Sequence, residues 1–269
     1  MRLKTCLAAL ALFTPLALAP ALPAAAHAGF LMPVSDDTDT SGEIILMASF
    51  SDRFPVEEIA LKTDSWTIIT PDGEELAFDR IAETRTRSIL QATLQAEGTY
   101  RVSTGERLGR SGKVAKVGNA YIRLDADGLA GAGLADDTEV LTSQTATVSD
   151  LYLTRGAPSD EVLDTRIGRL ALVPGANPST LAAGDRLAVT VLFDGTPLAE
   201  APASLFTPSN SGQEDAADTS LMTDTSGALT LDLTEPGPHL LMIRHIAPSP
   251  EGAATDVRSY TTVLTLMVE

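Results

Sequence analysis

RLAVTVLFDGTPL, residues 186–198, combines the two features that decide the fold: a short run rich in Val, Leu and Thr, and an Asp-Gly pair that ends it. Residues 186–193 predict a β-strand, and Asp194-Gly195 predicts a tight turn. Short apolar runs separated by Gly, Pro, Asp and Asn recur along the chain, and no long helix is indicated. The sequence therefore predicts an antiparallel all-β protein.

Further strands are predicted on both sides of this segment. In the N-terminal part they cover residues 43–50, 65–70, 87–95, 99–103 and 114–124, with a hairpin turn at Pro71-Asp72-Gly73 and a long loop at 125–137. In the C-terminal part they cover residues 203–206, 228–233, 239–246 and 259–268. The spacing predicts two antiparallel β-sandwich-like domains, residues 27–170 and 171–269, the second of them immunoglobulin-like.

Residues 1–26 have the pattern of a cleaved signal peptide: a basic start, an apolar run over residues 7–22 and alanines at 24–26. Prolines interrupt the run before the ~20 residues that a membrane-spanning helix needs. We therefore expect an exported, periplasmic protein without direct membrane insertion. Cleavage after Ala26 makes His27 the first residue of the mature protein, whereas cleavage after Ala28 removes it, and both sites fit the pattern.

Charge and cysteine content exclude several classes of function. The chain has 36 Asp and Glu against 19 Lys and Arg, a formal net charge of −17, and loss of Arg2 and Lys4 with the leader makes the mature protein more negative still. Such a surface repels nucleic acid and raises the local concentration of cations. The single cysteine, Cys6, lies in the leader, so a bound metal would need nitrogen, oxygen or methionine sulfur ligands.

Two of the three histidines are candidate metal ligands. As the mature N-terminus, His27 offers its α-amine and its imidazole as a two-nitrogen chelate. His245 lies at the end of a predicted strand, just before a proline-containing loop, where binding residues often occur. His239 starts the same strand, about 20 Å away, and is expected to be partly exposed and not to share a metal with His245. Nitrogen ligands of this kind suit Cu(II) or Ni(II).

No motif of hydrolytic, nucleotide-dependent or zinc-protease chemistry occurs, so the protein is predicted not to be an enzyme. A copper oxygenase built on an N-terminal histidine is a further alternative, against which stand the aromatic content of 4% and the absence of disulfides. Residues 105–113 combine Gly105, Gly109 and Gly112 with three cations and predict a flexible basic turn, either solvated or in contact with a partner.

Several segments together resemble one bacterial periplasmic family of unknown function linked to cobalt and nickel uptake. They are HAGFLMP at 27–33, LVPGANP at 172–178, GD at 184–185, VLFDGTPL at 191–198, TD at 223–224 with Gly227, PGP at 236–238 and RH at 244–245. The resemblance implies that His27 and His245 bind the metal. Two positions depart from the family pattern: Ala28 replaces an acidic residue, and His239 replaces an aromatic one.

The sequence thus predicts a periplasmic protein that binds a divalent transition metal, nickel, cobalt or copper, through His27 and His245. It would present the metal to a membrane or outer-membrane uptake system. The alternative is a metal-free β-sandwich that binds a partner protein or a glycan in the cell envelope. The two differ in whether these metals raise the melting temperature of the protein.

Overall fold

The computed structural model describes residues 28–35, 41–213 and 218–269. The predicted leader and His27 lie outside these ranges, as do Asp36 and its neighbours up to residue 40. No helix within the described residues is long and apolar enough to cross a bilayer.

The described residues form nineteen strands and four short helical turns. The strands of the first half are β1 (Ala28–Ser35), β2 (Glu43–Ser51), β3 (Ile59–Ala60), β4 (Thr67–Ile69), β5 (Glu75–Leu76), β6 (Arg80–Glu83), β7 (Ser88–Thr93), β8 (Gly98–Ser103), β9 (Arg107–Val117), β10 (Ala120–Leu124) and β11 (Val140–Arg155). The strands of the second half are β12 (Leu170–Pro174), β13 (Arg186–Phe193), β14 (Thr196–Pro197), β15 (Pro202–Phe206), β16 (Asp218–Met222), β17 (Ala228–Asp232), β18 (Gly237–Pro248) and β19 (Val257–Val268). The helical turns are α1 (Gly128–Gly131) and three 3₁₀ turns, Glu161–Asp164, Pro178–Thr180 and Pro208–Asn210.

Within the described ranges these strands form three sheets. The outer sheet has the order β1-β2-β7-β6, with β3 also paired to β2. The central sheet has the order β16-β15-β18-β19-β11-β8-β4-β5, and the β9-β10 hairpin joins it through β11. The small sheet consists of β12, β13 and β14, with β17 paired to β13.

The central sheet is covered on both faces. Apolar residues of the outer sheet, such as Phe30 and Leu46, pack on one face of it, and those of the small sheet, such as Leu187 and Val191, pack on the other. Along β18, Leu240 and Met242 face the outer sheet and Leu241 and Ile243 face the small sheet, because successive residues of a strand point to opposite faces. The all-β, sandwich-like class predicted from the sequence is confirmed.

Strands from both sides of residue 170 share the central sheet. β11 pairs with β19 in parallel, from Ser143 opposite Val257 to Leu151 opposite Thr265. The two sandwich-like units are therefore joined by strand pairing as well as by the chain. The domain limits given above stay a prediction.

The predicted strands agree with the structure except in the middle of the chain. The segment 186–193 is β13, and both residues of its Asp194-Gly195 turn have positive φ, 51° and 76°. The single strand expected at 114–124 is wrong, because Gly118 and Asn119 turn the chain between β9 and β10. The flexible turn expected at 105–113 is also wrong, since residues from 107 onward belong to β9.

Candidate functional site

His245 lies near the end of β18, on the face of the central sheet that packs against the small sheet. Its ring contacts the ring of Phe193 edge to face, with 4.7 Å between the centroids. Phe193 is the last residue of β13, and its ring also meets that of Tyr260, the residue opposite His245 on β19. The pairing of β18 with β15 ends at Ile243, so within the part of the chain that the structure describes His245 lies at an open edge of the sheet.

A charged pair sits beside this aromatic group. The guanidinium of Arg169 donates to both carboxylate oxygens of Asp194, over 2.6 and 2.5 Å, and to the hydroxyl of Tyr260 over 2.6 Å. It also stacks on the Phe193 ring, 4.7 Å from the centroid. Its bidentate hydrogen bonds lower the pKa of the Asp194 carboxyl and raise that of the guanidinium. The positive charge of Arg169 and the negative charge of Asp194 therefore offset each other in part.

The surroundings of the His245 imidazole favour its uncharged form. Partial burial lowers its pKa, and the nearby charge of Arg169 lowers it further, against the opposite effect of Asp194. An uncharged imidazole has a lone pair available for a metal ion. His245 can thus act as a nitrogen ligand without first losing a proton.

The position of His27 lies outside the described residues, but its neighbour Ala28 is placed. Ala28 starts β1 and belongs to the same apolar cluster as Leu240 and Met242, which face the outer sheet from β18. His245 follows the alternate set, with Leu241 and Ile243, which faces the small sheet. Ala28 and His245 therefore lie on opposite faces of the central sheet.

The prediction for His239 is wrong in one respect. Its side chain is only 1% exposed, whereas partial exposure was expected. One ring nitrogen, Nδ1, lies 3.1 Å from the carbonyl oxygen of Gly237, and burial lowers the pKa of the ring.

Among the described residues, no group of three or more His, Cys, Asp or Glu side chains is arranged to hold a metal ion.

Sequence reasoning missed a cleft between β4 and the segment before β12. It has a volume of about 480 Å³ and is lined by Asp64, Trp66, Glu75, Thr165 and Arg166, among others. The Trp66 ring is half-buried and meets Phe78 edge to face. In the sequence, a single Trp in a predicted strand is a weak signal, because core packing produces the same pattern; in the structure Trp66 directly precedes β4.

A buried ion pair lies behind this cleft. The Arg101 guanidinium donates to Asp150 over 2.6 Å, and the two side chains are 0% and 3% exposed. Arg101 also donates to the backbone carbonyl of Thr165, which lines the cleft. The pair thus joins β8 and β11 to the segment that leads into the small sheet.

The sheets and their packing define an all-β, sandwich-like protein with candidate binding sites at an open sheet edge and in a cleft. Residues 24–247 match the family model described as a domain of unknown function, DUF4198. The chain belongs to this family. Both His27 and His245 lie within the matched segment.

Three solved structures show a distant similarity. The D0-D1 domain of intimin is 13% identical, with a TM-score of 0.21, over 90% of this chain and 98% of that chain. Salmonella alpha-2-macroglobulin reacted with methylamine is 10% identical, with a TM-score of 0.21, over 90% of this chain and 15% of that chain. Fibronectin(III)-like modules of Clostridium thermocellum CbhA are 11% identical, with a TM-score of 0.18, over 89% of this chain and 94% of that chain. No curated protein matches the chain.

Proposed function

We propose that this protein is a periplasmic binding protein for a divalent transition metal, nickel, cobalt or copper, that serves metal uptake. The ligands are the α-amine and imidazole of His27, exposed by signal-peptide cleavage, and the imidazole of His245. Three nitrogen ligands and no thiolate suit these ions. The observation that carries the proposal is the half-buried imidazole of His245, held against Phe193 where the pairing of β18 with β15 has ended, in surroundings that lower its pKa.

The surroundings of His245 support this role in two ways. The neighbouring cation, Arg169, donates to both carboxylate oxygens of Asp194, and the negative charge of Asp194 offsets part of the effect of Arg169 on the ring. The edge contact with Phe193 also restricts the orientation of the imidazole. A fixed, uncharged ligand loses little entropy when it binds a metal.

Metal titration of the processed protein tests the proposal. Intact mass first establishes that the exported protein begins at His27, and calorimetry then measures its affinity for nickel, cobalt and copper. His245→Ala is expected to weaken binding at least tenfold, because even the loss of a residue that only supports a ligand costs about 10–100-fold.

Two controls make this result interpretable. His239→Gln removes the other imidazole of β18, and we expect it to leave the affinity unchanged. A protein that begins at Gly29 lacks the chelating N-terminus and is expected not to bind. Equal affinity of the wild type, His245→Ala and the Gly29 form would contradict the proposal.

The cleft at Trp66 favours a second candidate function, the metal-free binding of a glycan. Its volume of about 480 Å³ falls in the range of ~300–1,000 Å³ typical of ligand pockets. An aromatic ring with carboxylates and a guanidinium around it is suited to the apolar face and hydroxyls of a sugar. Because Trp66 is the only tryptophan, its fluorescence reports directly on oligosaccharide titrations, and an unchanged spectrum with envelope glycans would contradict this candidate.

A further inference from the structure

The β9-β10 hairpin is basic in a strongly acidic protein. Residues 107–124 contain Arg107, Arg110, Lys113, Lys116 and Arg123 but no acidic residue, although the chain as a whole has a net charge of −17. Because the rest of the surface repels anions, a concentrated positive hairpin gives this protein one region where an anion is favoured.

Strand pairing brings three of these cations to one groove. Within the hairpin, Arg123 of β10 lies opposite Val114 of β9. The pairing of β9 with β11 shifts its register next to Arg110 of β9. The groove has a volume of about 50 Å³ and is lined by Arg110, Lys113 and Arg123. Ser111, Ser143, Thr145 and Ser259 also line the groove, together with the apolar residues Val114 and Ile246.

The cations in and around the groove repel one another. Burial is the largest cause of the lowered pKa of Arg107, and the positive charge of Arg110 lowers it further. Arg123 has the same effect on Arg244, which Asp52 partly offsets. Within the described ranges, Arg110, Lys113 and Arg123 form no ion pair with a carboxylate. A bound anion would relieve this repulsion.

We propose that the groove binds a phosphate-type oxyanion. Guanidinium groups donate pairs of parallel hydrogen bonds to such oxyanions, and Lys113 and the serine hydroxyls supply further donors. A single water molecule needs about 10–15 Å³ of such space, so a groove of about 50 Å³ has room for one compact oxyanion. The anion is either free phosphate or the phosphate of a lipid headgroup. This site is independent of the metal proposed above.

Titration with inorganic phosphate at low salt tests the site, followed by calorimetry or phosphorus NMR. Arg110→Gln and Arg123→Gln are each expected to weaken binding about tenfold, equivalent to about 1.4 kcal/mol. Arg80→Gln is the matched control, because Arg80 is exposed on β6 of the outer sheet and its loss changes the net charge equally. The control is expected to bind phosphate like the wild type.

Vesicles distinguish the two sources of the anion. Sedimentation with phosphatidylglycerol vesicles, but not with phosphatidylcholine vesicles, that is lost in Arg110→Gln assigns the site to a lipid headgroup. Phosphate binding without sedimentation assigns it to a free anion. The proposal is overturned if neither probe binds, or if Arg80→Gln weakens binding as much as Arg110→Gln does.

Discussion

Removal of the Asp150 carboxylate should destabilise the whole fold. In Asp150→Ala, the Arg101 guanidinium stays inside the protein, where it is 0% exposed, and loses the partner to which it donates over 2.6 Å. Its remaining hydrogen bonds go to the carbonyl and hydroxyl of Thr165. The variant therefore contains a buried charge without a counter-charge.

The expected cost follows from this burial. Breaking a buried ion pair by removing one partner costs about 3–5 kcal/mol. For a protein of this size each kcal/mol lowers the melting temperature by about 2–4 °C, so we expect a decrease of about 6–20 °C in scanning calorimetry.

An exposed ion pair provides the control. Arg186 and Asp232 lie 2.7 Å apart with side chains that are 70% and 66% exposed, and Asp232→Ala should cost no more than about 1 kcal/mol. Replacing both buried partners, as in Arg101→Met with Asp150→Leu, should restore much of the stability. Equal costs for Asp150→Ala and Asp232→Ala would refute the reasoning.

Two further predictions concern stability. Burial lowers the pKa of His239 and His245, so the unfolded chain binds more protons than the folded one as the pH falls below about 6.5. The free energy of unfolding, measured by urea titration, should therefore decrease between pH 7.5 and 5.5. If His239→Gln loses as much free energy as the wild type over this pH range, the prediction is contradicted for His239. Gly227 has φ +75°, and a Cβ there would lie 2.9 Å from backbone atoms of Leu198 and Val191, whereas Gly195 at φ +76° has open space. Gly227→Ala should therefore cost clearly more than the ~1 kcal/mol expected of Gly195→Ala, and equal melting temperatures of these two variants would contradict it.

Local sequence signals were sufficient where a strand and its turn are adjacent. The strand at 186–193 and its Asp-Gly turn were predicted at their observed positions, because both signals lie within ten residues. The hairpin at Gly118-Asn119 was missed because apolar residues continue on both sides of the turn. β11 was missed because it is rich in Ser and Thr, and its parallel partner β19 comes more than one hundred residues later.

The candidate site was predictable only in part. The strand-end position of His245 follows from the sequence, since Pro248 and Pro250 mark the end of the strand. Its neighbours do not, because Arg169 and Asp194 reach it through the packing of the small sheet on the central one. His239 was expected to be partly exposed because it follows a Pro-Gly-Pro segment, but β18 already begins at Gly237 and buries it.

Electron paramagnetic resonance of the copper-loaded, processed protein tests the central claim most directly, because the nitrogen nuclei bound to Cu(II) split its signal. We predict a spectrum with three nitrogen ligands in the wild type and in His239→Gln, and with one nitrogen fewer in His245→Ala. An identical spectrum in all three proteins, or a spectrum of unbound copper in the wild type, would contradict the account.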